Sequence, residues 1–192
     1  MTAPTTCVLV LWLVWLVGWQ IAARTAAPAV TRQTKSSRLA HASLLGAGAL
    51  LLFFHPSRPA ILSRLVLPAS TWLTWGGVVV TALGLAFATW ARVHLGRLWS
   101  ASVTLKADHT IVRTGPYAMS RHPIYTGLVL AFIGTTLVYA TVGSFLGLVL
   151  LTLGILLKIR QEEELLLGHF GDAYRGYQSH VPALIPRFRS SA

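Results

Sequence analysis

Residues 123–159 read PIYTGLVLAFIGTTLVYATVGSFLGLVLLTLGILLKI, thirty-seven positions in which Lys158 is the only charge. A membrane helix needs roughly 20 predominantly apolar residues. The stretch is therefore long enough for two spans, Pro123 to Tyr139 and Val142 to Ile159. The link between them is so short that they must form an antiparallel hairpin. Pro123 suits the first turn of a helix, where its missing N–H costs nothing.

The same reading extends outward in both directions. Cys7 to Ala23 is a first span carrying Trp12, Trp15 and Trp19 as interfacial or packing rings. Leu39 to Phe54 is a short second span with His41 near its start, closed by His55-Pro56-Ser57-Arg58-Pro59. Ala60 to Ala69, interrupted by Arg64 and Pro68, reads as an interfacial loop or short helix. Trp72 to Ala91 is a third span, whose Gly76, Gly77 and Gly84 allow close helix approach. Beyond the hairpin, Leu165, Leu166, Phe170, Tyr174 and Tyr177 recur at helical spacing in an amphipathic tail. Pro182 and Pro186 are expected to end that helix and fold the last segment back as a lid.

The expected architecture is an all-α integral membrane protein of about five transmembrane helices with a cytoplasmic C-terminal amphipathic segment. Residues 1–91 form an N-terminal region of three spans, and residues 92–192 a catalytic region of loop, hairpin and tail. Composition agrees: of 192 residues, 54% are hydrophobic and 11% charged, more apolar surface than a soluble core of this size hides. Mean hydropathy is +0.63. The first span lacks a preceding side-chain cation, so it reads as a retained anchor and not a cleaved signal.

Charge tests the topology independently. With five spans, every Lys and Arg except Arg58 and Arg64 falls on one side, which the positive-inside rule makes cytoplasmic, with the N-terminus outside. A net charge of +11 does not point to nucleic acid, because the cations flank apolar segments and form no patch interleaved with aromatics. One cysteine, Cys7, excludes an internal disulfide framework. The seven histidines do not recur at the close spacing of a metal site, and no metal is expected. His41, His55, His94, His169 and His180 read as boundary or backbone-bonding residues. A transporter is disfavoured because no span carries an acid at its middle.

All five acids, Asp108, Glu162, Glu163, Glu164 and Asp172, lie in the last half of the chain. Adjacent carboxylates on a helix point about 100° apart, so at least one of the three glutamates faces the bundle. The alternatives are a functional carboxylate and a solvated helix end partnering Lys158 and Arg160. Upstream, Gly115-Pro116 forces a turn and holds Arg121 and His122 at the start of the fourth helix. Free N–H groups there favour an anion, so a ligand carboxylate is expected at Arg121 or His122; the alternative is an ordinary basic flank with interfacial tyrosines.

Gly115-Pro116-Tyr117, Arg121-His122-Pro123-Ile124-Tyr125-Thr126-Gly127, Glu162-Glu163, Phe170-Gly171-Asp172-Ala173-Tyr174 and Val181-Pro182-Ala183-Leu184-Ile185-Pro186 together resemble the isoprenylcysteine carboxyl methyltransferase family and its prokaryotic relatives. The resemblance covers Leu95 to Phe188, about half the chain, and extends to Gly96, Trp99 and Ser100, which would shape an acceptor entrance. It implies a membrane methyltransferase using S-adenosyl-L-methionine, held between the fourth and fifth helices and the C-terminal segment. The matching cofactor positions are His109, Val112, Gly115, Tyr117, Arg121, His122, Pro123, Tyr125, Glu162 and Glu163. Arg160 and Glu163 match catalytic positions, Arg160 orienting an acceptor carboxylate. The implied acceptor is lipophilic and membrane-embedded, such as a prenylcysteine carboxylate. Phospholipid amines and small thiols are the alternatives within the reaction. An NADPH-dependent sterol or enone reductase is the alternative outside it, disfavoured because the glutamates would repel its phosphates. The implied surroundings are the lipid bilayer and a prenylated or other lipophilic substrate, with no nucleic acid and no motif that sets an oligomeric state.

Overall fold

The computed structural model describes residues 2–24, 35–54, 59–68, 70–96 and 111–187. These hold eight helices: α1 (Ala3–Ala23), α2 (Lys35–Phe53), α3 (Ala60–Ser63), α4 (Thr71–Leu95), α5 (Pro116–Met119), α6 (Pro123–Tyr139), α7 (Val142–Phe170) and α8 (Asp172–His180). Apart from one antiparallel bridge between Leu65 and Thr141, the described residues contain no strand pairing. The chain is all-α, as expected. Three helices, α1, α4 and α7, are long and apolar enough to cross a membrane. Two shorter apolar helices, His41–Phe53 within α2 and α6, bring the apolar helices to the expected five.

The hairpin turns on two residues. Ala140 adopts the left-handed conformation, φ 51°, and closes α6 through its N–H to Thr136 O at 2.7 Å. Thr141 then caps α7 in a reciprocal capping box with Ser144. The segment after α3 is laid against this turn, with Val66 N–H on Ala140 O and Val142 N–H on Arg64 O.

Helices from the two halves of the sequence interleave, α4 packing chiefly on α6 and α2 on α7, so the helices before residue 92 and the hairpin share one core. Small residues set the distance. A Cβ built on Gly84 would lie 2.5 Å from Ala131 N, and one on Gly127 would lie 2.5 Å from Gly84 O. The backbones of α4 and α6 therefore touch, as in small-residue packing in membranes. Gly77 also faces α6, whereas Gly76 has open space and takes no part in the approach expected of it.

The tryptophans of α1 pack more than they anchor. Trp12 stacks on Phe132 at 5.1 Å and donates to Thr135 Oγ1 at 2.9 Å, while Trp15 donates to Thr89 Oγ1 at 3.0 Å. His41 donates through Nδ1 to Gly154 O at 3.0 Å, the backbone bond expected of it.

Two boundaries differ from the sequence reading. The fifth span does not end at Ile159; α7 runs to Phe170, because Lys158 to Leu167 are strong helix formers. The tail is not one continuous amphipathic helix, since Gly171 at φ 53° ends α7 and starts α8. Glu162 is the twenty-first residue of α7, so it stands about 30 Å along the helix, close to the thickness of a hydrocarbon core.

Candidate functional site

Gly115, at φ 57°, turns the chain into α5. A Cβ there would lie 2.7 Å from the His94 ring, so glycine meets both the dihedral and the contact. His94 bonds Thr114 Oγ1 at 2.9 Å and stacks beside Tyr117, whose centroid is 6.3 Å away. Tyr117 is buried with Ala91 and Ile124, and Val112, Trp19 and Tyr125 pack against this group. After α5 the backbone extends through Ser120 to His122, and Pro123 opens α6.

Two stretches about forty residues apart meet at this corner. Arg121 places Nε 2.7 Å and Nη2 2.6 Å from Glu163 Oε1. His122 Nε2 lies 3.2 Å from the same oxygen, and its Nδ1 lies 3.5 Å from Glu162 Oε2. Tyr125 donates its hydroxyl to Glu162 Oε1 at 2.6 Å. With a carboxylate at each ring nitrogen, His122 is placed to act as a double donor, which requires the imidazolium. Burial opposes the charge on this side chain, but Glu162 and Glu163 outweigh it and hold the imidazole above the usual histidine range. Burial also pushes the Tyr117 phenol well up, reinforced by Glu162, so it stays neutral at any physiological pH.

The segment after α8 closes over the corner as a strap. Arg121 N–H and His122 N–H donate to Pro182 O and Ala183 O at 2.8 and 3.0 Å, and Thr126 Oγ1 donates to Leu184 O at 2.6 Å. Arg121 Nη1 reaches Val181 O and Gln178 O, and Arg187 N–H bonds Met119 O. The proline-directed fold-back is therefore present. One expectation is corrected: the Arg121 and His122 N–H groups are not open to a ligand anion, because the strap carbonyls accept from them. The Arg121 guanidinium is likewise occupied by Glu163.

The structure brings together Val112, Gly115, Tyr117, Arg121, His122, Pro123, Tyr125, Glu162 and Glu163. His109, Trp99 and Ser100 lie outside the described residues. Arg160 is not brought in. It donates to Glu164 Oε1 at 3.0 Å, and the two side chains are 80% and 64% exposed. The reason is helical geometry: Arg160 and Glu164 share one face of α7, while Lys158 and Glu162 share another. Lys158 Nζ lies over the Tyr125 ring, 5.5 Å from its centroid.

Sequence reasoning thus passed over Lys158 as a site residue, although its spacing of four from Glu162 carried the signal. It also missed Gln178, which donates to Glu163 Oε2 at 3.2 Å. Fifteen residues and a helix break separate that pair, and no periodicity links them. Chemically, the corner presents two carboxylates, two fixed cations, an imidazole and two tyrosine rings at a membrane boundary, which suits a ligand bearing both signs of charge.

Comparison with known proteins gives a consistent result. Residues 77–168 match the isoprenylcysteine carboxyl methyltransferase (ICMT) family. Protein-S-isoprenylcysteine O-methyltransferase of Schizosaccharomyces pombe is 36% identical over 111 residues, 54% of this chain and 45% of the relative. Methanethiol S-methyltransferase of Pseudomonas deceptionensis is 32% identical over 135 residues, 67% of this chain and 48% of the relative. The structure of the eukaryotic intramembrane Ras methyltransferase aligns with a TM-score of 0.52 at 26% identity, covering 82% of this chain and 54% of that one. The chain spans about half the length of these relatives.

Proposed function

The chain belongs, through residues 77–168, to the isoprenylcysteine carboxyl methyltransferase family and is a multi-pass integral membrane protein, and we propose that it transfers a methyl group from S-adenosyl-L-methionine to a lipophilic carboxylate of prenylcysteine type. The observation that carries this reading is the convergence of Arg121 and His122 with Glu162 and Glu163, at 2.6 to 3.5 Å, against Tyr125.

The residues fit such a donor. The molecule carries a sulfonium, an ammonium and a carboxylate; Glu162 and Glu163 suit the cationic centres, the ring of Tyr117 favours a sulfonium over its face, and the donor carboxylate would compete with Glu163 for the Arg121 guanidinium. When bound, the donor supplies an electrophilic methyl whose carbon–sulfur bond breaks with the electron pair going to sulfur, while a carboxylate oxygen forms the new bond. No proton is released, so no general base is needed. The protein's own work is alignment and exclusion of water. In this scheme the strap from Val181 to Arg187 shields the polar side, and Glu162, fixed by Tyr125 and His122, orients the donor. Lys158 replaces Arg160 as the cation facing the acceptor carboxylate. The active site and C-terminus face the cytoplasm and the N-terminus lies outside, as the charge distribution favours.

The test uses the purified full chain with methyl-labelled S-adenosyl-L-methionine and an S-farnesylcysteine derivative. The expected product is a base-labile methyl ester; absence of both transfer and donor binding would overturn the reading. A second reading rests on the methanethiol S-methyltransferase relatives, 32% identical to this chain. If methanethiol yields dimethyl sulfide while the prenylated acid is inert, a small thiolate is the acceptor.

A further inference from the structure

A cleft of about 510 Å³ lies between α5, α8 and the strap, with Arg113, Met119, Tyr177, His180, Val181 and Arg187 in its wall. Its three basic side chains come from three separate segments: the approach to α5, the end of α8 and the end of the strap. Among the described residues, no carboxylate lines it. The cleft therefore lacks the carboxylates that balance Arg121 and Lys158 at the Glu162–Glu163 corner, and its uncompensated positive charge favours an anion.

Arg113 and His180 are held by side-chain contacts, and Arg187 by its main chain. Arg113 Nη2 donates to Ala173 O at 2.7 Å, and the guanidinium lies 5.7 Å from the Tyr177 ring centroid. The Tyr177 hydroxyl donates in turn to Tyr117 O, tying this wall to α5. His180 Nδ1 donates to Gly176 O at 2.7 Å, so Nε2 would accept from a protonated phosphate oxygen in the neutral ring and donate to a bare one as the imidazolium. Arg187 is positioned by its own N–H on Met119 O at 3.1 Å. Met119, Val181 and the face of Tyr177 give the cleft an apolar part beside its charges.

Cations converging from several directions match an anion with several oxygens, and arginine in particular matches phosphate. We propose that this cleft binds a phosphate group, as carried by an anionic lipid headgroup or by free phosphate. The inference does not depend on the methyl acceptor or on methyl transfer.

The experiment follows thermal unfolding of the full chain in neutral detergent during titration with dioctanoyl phosphatidic acid, dioctanoylglycerol and inorganic phosphate. Phosphatidic acid is expected to raise the midpoint saturably, and dioctanoylglycerol, which lacks the phosphate, is not. Each arginine supplies a charge-assisted hydrogen bond, so the double substitution Arg113→Gln, Arg187→Gln should weaken apparent affinity by at least about tenfold. Arg113→Lys with Arg187→Lys should retain part of it and bind more tightly than the glutamine pair, because charge is kept and the planar fork is lost. Saturation by inorganic phosphate at matching concentration assigns the site to the free anion; saturation by phosphatidic acid alone assigns it to lipid. Should the double glutamine variant fail to fold, Arg187→Gln and His180→Gln singly give the same comparison. The proposal is overturned if neither phosphate compound shifts the midpoint, if dioctanoylglycerol matches phosphatidic acid, or if the glutamine variants bind as the parent does.

Discussion

Arg121 Nη2 lies 2.6 Å from Glu163 Oε1, with the two side chains only 10% and 18% exposed, although the residues stand 42 positions apart. The pair joins the α5–α6 corner to α7, and the same guanidinium reaches the carbonyls of Gln178 in α8 and Val181 in the strap. Removing one partner from a buried pair leaves the other uncompensated, at a cost of roughly 3–5 kcal/mol. Arg121→Ala and Glu163→Ala should each lower the unfolding midpoint in detergent substantially, and the double variant should lose less than the sum. A strictly additive double-mutant cycle would show that the contact carries no coupling. Arg121→Lys should recover only part of the loss, because lysine lacks the planar fork.

His122 supplies a pH dependence of definite sign. Its folded value is raised above the 6.5 of the free side chain: desolvation works against the shift, but Glu162 and Glu163 more than offset it. A raised folded value means that protonated His122 stabilises the fold fully below about 6.5. That contribution is lost as pH rises through the folded value. Unfolding midpoints measured from pH 6 to 10 should fall over that window, and His122→Gln should flatten this component of the fall. An unchanged pH profile in the variant would mean that His122 does not titrate in the fold.

The hairpin was legible up to the end of its second arm, because lipid imposes a length and an apolar content that few other structures meet. Pro123 and Tyr139 came out as the true ends of α6. Glutamates of the candidate site were legible too, since an acid is costly at a membrane boundary unless it finds a cation. What stayed hidden follows from three-dimensional closure. The strap occupies the Arg121 and His122 N–H groups through Pro182 and Ala183, and backbone acceptors carry no sequence signal. The choice between Lys158 and Arg160 depended on where α7 ends. A span stopped at Ile159 leaves Arg160 next to the glutamates in sequence; a helix continued to Phe170 turns it to the opposite face from Glu162.

That placement separates two neighbouring cations functionally. Arg160 pairs with Glu164 at the surface, where such pairs contribute about 0–1 kcal/mol. Arg160→Met should leave both unfolding midpoint and methyl transfer within about twofold of the parent. Lys158 lies over Tyr125, and under the proposed scheme it faces the acceptor carboxylate. Loss of one charge-assisted contact to the acceptor predicts a fall of at least about tenfold in kcat/KM for Lys158→Met. The loss should appear mainly in the KM for the acceptor, with donor affinity retained. The reverse ranking, with Arg160→Met the inactive variant, would return the acceptor role to Arg160 and require α7 to unwind or rotate when substrate binds.

Gly76 and Gly77 are adjacent on α4, yet their surroundings differ completely. A Cβ on Gly77 would lie 2.6 Å from Gly134 O and 2.8 Å from Val138 Cγ2, while one on Gly76 meets nothing within 4 Å. Backbone cannot yield as a flexible side chain can, so a substituent at Gly77 forces α4 away from α6 along their whole contact. Overpacking of this kind costs typically about 1–3 kcal/mol, and more where the obstacle is main chain. Gly77→Val should therefore lower the unfolding midpoint and the yield of folded protein. Gly76→Val should be tolerated, because its side chain enters open space on a lipid-facing helix. Equal sensitivity at the two positions would mean that α4 is rotated about its axis from the orientation described, which would also displace Ala91 from its packing against Tyr117 at the site.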